Sequence, residues 1–355
     1  MAPDSLKGSI GAAAAASALA AGWRQARPGD EVIELPLADG GEGTLAVLAA
    51  ANPASRWHLA EVSGPTTARV AAAWLELPGN VAVVELAAAA GLPLLTEIAP
   101  LAAHSYGVGE LIGLALDAGA RQLVIALGGS ACTDGGTGAL AALGARFLDK
   151  DGLDLPRGGG PLTGLAAIDL SGLRPPPPGG VRCLTDVRAP LLGPAGAAAV
   201  FGPQKGARPA DVATLEAGLA RLAEQLGGDP EQPGSGAAGG CGYGFAAGWG
   251  ARLLPGAEQI AAIAGLPAAL VAADLVITGE GRYDETSRGG KVVGAVCAAA
   301  EQAGVPVAVV AGAVTVAPPG PGAVELIALA GTREAAMREP ARWLGQAARL
   351  LAGAC

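Results

Sequence analysis

DLVITGEGRYDETSRGGK, residues 274–291, is the stretch from which the architecture can be read. Leu275, Val276 and Ile277 form a short apolar run bounded by turn residues, which predicts a buried strand over 274–278. The run ends in Gly279 and Gly281, with Gly289 and Gly290 further on. Glu280, Arg282, Asp284 and Glu285 stand between these glycines, and Lys291 follows them. In an open α/β sheet the loops at the carboxyl ends of strands face the ligand crevice. A strand that runs into glycines and groups able to handle phosphate or metal therefore predicts a site, and with it an enzyme or a nucleotide binder.

Outward from this strand, apolar strands alternate with alanine-rich helices, the pattern of an α/β architecture. Strands are predicted at 305–310 (VPVAVV) and 324–329 (VELIAL), with helices over about 289–303 and 333–352. At the other end, 9–26 reads as a helix, 31–36 as a strand and 42–50 as a helix, and these join the same parallel sheet. The middle differs. Segments 57–63, 69–77 and 81–86 are β-like, with Pro78, Gly79 and Asn80 offering a hairpin turn between the last two. Further strands are predicted at 122–127 and 181–185. A mixed sheet interrupting a parallel one predicts an inserted domain: 1–55 with 270–355 form one α/β domain, and 56–269 the second. The prolines at 175–178 and the tract at 227–236 read as exposed loops within the insert.

Composition narrows the function. A chain of 355 residues is long for one core, so two domains are expected. Hydrophobic residues at 51% and charged residues at 15% exclude disorder. The mean hydropathy of +0.42 comes mainly from alanine, and no window offers about 18 consecutive strongly apolar residues, so no membrane partner is expected. Lys7 and the alanine-rich 10–21 imitate a signal peptide, but Asp4 and the polar motif at 3–9 argue against one. Five scattered cysteines without a CxxC indicate neither a zinc site nor a disulfide framework, consistent with a cytoplasmic chain. A net charge of −9 lacks the basic footprint of a nucleic-acid binder. With only His58 and His104 present, acid and base chemistry falls mostly to carboxylates and lysines.

Backbone N–H groups can approach an anion where glycine lines a helix N-terminus. Four loops qualify: DGGEGT (39–44), GGSACTDGGTG (128–138), FGPQKGA (201–207) and GEGRYD (279–284). With 57 glycines in the chain, glycine alone proves little, and the charges decide. Asp39, Glu42, Asp134, Glu280 and Asp284 are acids suited to Mg²⁺. Lys7, Lys205 and Lys291, three of only four lysines, are the phosphate counter-charges. Asp186, in TDVRAPL (185–191), sits just beyond a strand, where it can accept a hydroxyl proton, help hold a metal or merely start a turn. GSGAAG (234–239) fits a dinucleotide fingerprint but follows a loop where a strand is required, and no lysine has Walker A spacing. Tyr106, Tyr243 and Trp249 are able to stack on a base, although core packing is the commoner use of an aromatic, and His104 reads as structural.

Taken together, APDSLKGS (2–9), PLADGGEGT (36–44), SYGVGELI (105–112), ALGGSACTDGGTG (126–138), FGPQKGA, GSGAAGG (234–240) and the opening stretch resemble the bacterial glycerate kinase family, in order and across nearly the whole chain. The resemblance implies ATP-dependent phosphorylation of D-glycerate to 2-phosphoglycerate with Mg²⁺. It also implies a flavodoxin-like domain interrupted by a restriction-endonuclease-like α/β domain, with the glycine loops of both around one interdomain crevice. Residue type and loop position then suggest roles. Asp186 is the base. Lys7 and Lys205 neutralise the substrate carboxylate and the transferred phosphoryl. Asp39, Asp284 and Glu280 are the Mg²⁺ candidates. Ser5, Gly40, Gly41, Ser130, Asp134, Arg282 and Lys291 contact substrate or phosphate, Arg282 through a fork that matches a carboxylate.

Three departures from the family pattern stand out. Thr133 replaces a usual asparagine in GGSATNDGG, and Arg188 with Ala189 replace the TN of DVTNPL. Relatives enter APDS through a short apolar strand, whereas this sequence starts at Met1, so the expectation is a start several residues upstream. The changes at Thr133 and Ala189 keep open a kinase for another small hydroxy acid, such as a tetronate or tartronate. A nucleotide-binding regulator without catalysis is the alternative from another class. A homodimer also stays open, since the sequence is silent on oligomeric state.

Overall fold

The computed structural model describes residues 1–288, 291–318 and 322–354; Gly289 and Gly290 of the opening stretch, and Cys355, lie outside them. The chain divides into two compact units: Met1–Asp39, Ala46–Pro53 and Pro255–Cys355 form one, Gly40–Leu45 and Ala54–Leu254 the other.

The unit spanning Ala54–Leu254 carries β1 (Arg56–Ser63), β2 (Arg69–Leu77), β3 (Val81–Glu85), β4 (Gln122–Ala126), β5 (Arg146–Leu148), β6 (Ala167–Asp169), β7 (Val181–Leu184) and β8 (Arg252–Leu254). Six of these form one sheet in the order β1-β2-β3-β4-β7-β8, while β5 and β6 pair separately. The first three strands run antiparallel and β3-β4-β7-β8 run parallel, so the sheet is mixed as expected. Leu77 pairs with Val81, and the turn between them places Gly79 and Asn80 at positive φ (83° and 59°), a conformation these residue types tolerate best. β4 is an unbroken apolar run because a central parallel strand is covered on both faces. The helix Tyr106–Asp117 lies close against this core, where a Cβ at Gly107 would collide with the Ser63 carbonyl oxygen.

In the other unit, β9 (Val276–Tyr283), β10 (Val307–Val314) and β11 (Gly322–Glu325) form a parallel sheet in the order β11-β10-β9. β9 runs to Tyr283, past the end predicted at 278, so Gly279 to Arg282 are strand rather than turn. Close strand approach explains Gly279 and, on β10, Gly312: a Cβ at Gly279 would strike the Val310 carbonyl, and one at Gly312 the Gly281 carbonyl. Residues 1–4 run alongside, with Ala2 N donating to Ile277 O (2.7 Å) and Asp4 N to Gly279 O (2.8 Å). On their far side Leu35 N donates to Met1 O (2.8 Å) and Leu37 N to Pro3 O (3.0 Å). The predicted strand at 31–36 is thus extended but tied at separate points rather than through a regular ladder.

Two predicted elements differ further along. VELIAL splits, with β11 ending at Glu325 and Leu326–Ala330 turning helical. The helix expected over 333–352 breaks into Arg333–Arg338 and Pro340–Ala354, since Pro340 cannot donate a helical hydrogen bond. The helix Ala12–Ala26 packs on Pro340–Ala354 through Gly22, where a Cβ would collide with the Gly345 backbone. Leu19, Trp23, Leu344 and Ala348 share a buried cluster with Ile277 and Val310. Residues 255–269, placed in the insert by sequence pattern, pack here instead: Ala257, Ala261 and Leu266 are buried with Val292 and Val296.

Candidate active site

A cavity of about 510 Å³ in the parallel-sheet unit gathers Asp4, Ser5, Lys7, Asp39, Glu280, Arg282, Asp284 and Lys291. Glu280, Arg282, Asp284 and Lys291 of the opening stretch line it, together with the Lys7 loop and Asp39, whereas Glu285 does not. Lys7 Nζ stands 3.3 Å from Asp39 Oδ2, and the carboxylates of Asp39, Asp4 and Glu280 raise its pKa against the opposing effect of burial. Burial and the Asp39 charge push the Asp4 carboxyl up to about 6. Glu280 is only 7% exposed, and burial raises its pKa too. Asp284 is lowered instead, because the Thr286 hydroxyl (2.6 Å) and N–H (2.9 Å) both donate to Oδ1. Lys291 Nζ donates to the same Thr286 hydroxyl at 2.7 Å.

A second cavity, about 600 Å³, lies in the mixed-sheet unit and is lined by Glu42, Glu85, Ser130, Thr185, Gln204 and Lys205, with Leu92, Val187 and Phe201 among its apolar walls. Lys205, 3% exposed, donates to Ser130 Oγ (2.9 Å) and to Cys132 O (2.6 Å). Burial lowers its pKa, while Cys132, Cys241 and Asp134 act the other way. A buried ammonium held by neutral oxygens is a preset counter-charge for an anion.

The comparisons with known proteins give this pair of lysine-bearing cavities a family. The model of the glycerate kinase family matches residues 1–354. The chain belongs to the glycerate kinase family. It is 41% identical over 324 residues to the glycerate 2-kinase of Escherichia coli strain K12, covering 89% of this chain and 85% of that protein. It is 45% identical over 325 residues to an uncharacterized protein of Mycobacterium bovis, covering 89% and 78% respectively. It is also similar to the crystal structure of a Salmonella typhimurium LT2 protein assigned as glycerate kinase 2, with a TM-score of 0.85, 39% identity, and coverage of 99% of this chain and 96% of that one.

Within this glycerate kinase family chain the remaining candidates fall differently. Asp134 lines neither cavity. Its carboxylate is fully buried and accepts from Ser105 N (2.8 Å), Ser105 Oγ (2.8 Å), Gly136 N (3.1 Å) and Gly138 N (3.2 Å). It organises the loop that carries Ser130 and the start of the helix Thr137–Ala142. Gly40 and Gly41 pack on that loop: Gly128 N donates to Gly40 O (3.2 Å), and a Cβ at Gly128 would collide with the Gly41 Cα. Asp186 is half-buried between Thr185 and Val187, both of which line the mixed-sheet cavity. Thr133 is buried, with its backbone against Gly159 and Gly239, and it lines neither cavity. Ala189 accepts Gly236 N through its carbonyl at 3.0 Å, a bond any residue could make.

Sequence reasoning missed Asp4, Glu85, Thr185 and Gln204. Glu85 ends β3 and accepts Leu45 N at 2.7 Å, with the Gly43 and Thr44 amides also directed at it. It thereby stabilises the N-terminus of the helix Thr44–Ala51 as an acidic cap does. An acid at the end of a buried strand was available as a signal, since the same reasoning selected Asp186. Tyr243 and Trp249 serve packing, Trp249 Nε1 donating to Arg174 O at 2.7 Å.

Proposed function

We propose that the chain transfers the γ-phosphoryl group of ATP to the 2-hydroxyl of D-glycerate, giving 2-phosphoglycerate. The observation that carries this reading is the buried Lys205 ammonium held against Ser130 in a chain that the glycerate kinase family model matches over residues 1–354. The name of the Escherichia coli relative supports the 2-hydroxyl as acceptor. Phosphoryl transfer asks for positioning and charge neutralisation more than covalent chemistry, and both cavities are built from such groups. We assign Asp186 as the base that takes the hydroxyl proton. Lys7 and Lys205 neutralise the carboxylate and the phosphoryl, Ser5 and Ser130 donate hydrogen bonds, and Arg282 and Lys291 hold an anionic oxygen.

Mg²⁺ fits the parallel-sheet cavity, because Glu280 Oε1 is buried there with no hydrogen-bond partner among the described residues. Of the acids the sequence offered for it, Asp39, Glu280 and Asp284, Glu280 is the one whose surroundings leave an oxygen to hold it. Such an ion neutralises phosphate oxygens and charge developing on the leaving group. The exposed Lys7 and the Arg282 guanidinium neutralise the same oxygens from the protein side.

The parallel three-stranded sheet supports assigning a flavodoxin-like class to its unit, and the mixed sheet supports a restriction-endonuclease-like class for the insert. Among the described residues no helix is long and apolar enough to cross a membrane, and the cysteines at 132, 183, 241 and 297 are free thiols, which supports work in a reducing cytoplasm.

Asp186→Asn is expected to lower glycerate-dependent ADP release by about 10²–10⁴-fold, the usual range for a lost general base, with an unchanged circular dichroism spectrum. Turnover within a few-fold of the parent would remove Asp186 from the proton-transfer role.

A further inference from the structure

We propose, on the kinase reading above, that Asp4 and Glu280 are the carboxylate pair that receives the divalent cation, with Asp284 a positioning residue for the loop beside it. Four acids line the parallel-sheet cavity, and their surroundings separate them. Asp39 is the nearest partner of Lys7, at 3.3 Å. Asp284 Oδ1 is committed to the Thr286 hydroxyl and amide, and that hydroxyl also receives Lys291, so this carboxylate shapes the 284–287 turn. Glu280 differs. It is more than nine-tenths buried, the Ser287 hydroxyl bonds its carboxylate, and Oε1 meets no donor among the described residues.

A buried carboxylate oxygen without a partner costs free energy, and one facing a cavity marks where a ligand supplies the missing interaction. Asp4 is fixed next to it, because Asp4 N donates to Gly279 O at 2.8 Å and so holds the residue alongside the β9 position that precedes Glu280. The Asp4 carboxylate takes the Ser5 amide at 2.6 Å and lines the same cavity. Lys291 acts on Glu280 more strongly than Lys7 does, but its ammonium is bonded to the Thr286 hydroxyl; Lys7 is 77% exposed and directs its strongest interaction to Asp39, leaving Asp4 and Glu280 the weaker share. Two carboxylates suit a hard cation that takes its other ligands from phosphate oxygens and water, which is how Mg²⁺ is commonly held. The unfavourable burial of both acids is then relieved by the ion.

The test uses Mn²⁺ as probe, with free Mn²⁺ followed by electron paramagnetic resonance in the full chain, with and without ADP. Asp4→Asn and Glu280→Gln are each expected to weaken Mn²⁺ binding at least tenfold, and Asp284→Asn less than threefold. Melting without metal controls for folding: Glu280→Gln should melt at or above the parent temperature, since a neutral amide replaces a buried charge one of whose oxygens meets no donor. If Asp4→Asn does not fold, Glu280→Gln alone decides. Unchanged affinity in the Asp4 and Glu280 variants, no Mn²⁺ binding by the parent, or loss confined to Asp284→Asn would each overturn the pair. Glycerate-dependent ADP release is scored separately. A parent that binds Mn²⁺ through this pair yet does not phosphorylate glycerate refutes the functional reading and upholds the cation site.

Discussion

Lys205→Met lowers glycerate-dependent kcat/KM by about 10²–10³-fold, the loss typical of removing one preorganised electrostatic partner from a transition state. The size of the effect follows from burial. At 3% exposure the ammonium has left water, and its fixed contacts to Ser130 Oγ and Cys132 O hold it where an incoming anion meets it without reorganisation. Methionine keeps much of the length and fills the same space without charge. Removing a buried charge also removes its desolvation cost, which offsets the acceptors left on Ser130 and Cys132. The melting temperature is therefore expected to change little while activity falls steeply. Steady-state kinetics with a thermal melt on the same preparation checks both; activity within threefold of the parent would exclude Lys205 from the reaction.

Asp134→Ala gives the opposite pattern, a loss of about 3–5 kcal/mol of stability. Its carboxylate receives two amides from the glycine loop and both the amide and hydroxyl of Ser105. Truncation leaves these donors buried and unmatched, and each orphaned group costs roughly 1–3 kcal/mol before relaxation. The urea midpoint reads this directly. A shift below about 1 kcal/mol, accompanied by a raised KM for glycerate, would return Asp134 to the substrate-contacting role that its motif suggests.

The contrast between these two residues shows what the sequence could and could not tell. Both lie in glycine-flanked motifs and both carry charge, which made both candidates, Lys205 for neutralising charge and Asp134 for contacting substrate or phosphate. What separates them is whether neighbouring donors consume the charge, and that depends on Ser105, 29 positions from Asp134 in the chain. The strands were readable where the apolar run was unbroken, as in β4, or closed by a strong turn, as between β2 and β3. They were misread where glycine served strand packing rather than turning: Gly279 and Gly281 suggested a loop, but the carbonyls of β10 and β9 leave no room for a Cβ at Gly279 or Gly312. Alanine and leucine fit helix and strand alike, so the change from β11 to helix at Leu326 had no local marker. Asp4 was overlooked because its value comes from Gly279, to which the backbone brings it across 275 positions. The family resemblance, by contrast, rested on seven motifs in order, and the family match over 1–354 agrees with it.

The most direct test of the central claim is ADP release by the purified chain with Mg²⁺ and ATP, with and without D-glycerate, the product being resolved by phosphorus NMR. The account predicts ADP release that depends on glycerate and a phosphorus signal from 2-phosphoglycerate. ADP release indifferent to glycerate, or dependent instead on a tetronate or tartronate, would contradict it.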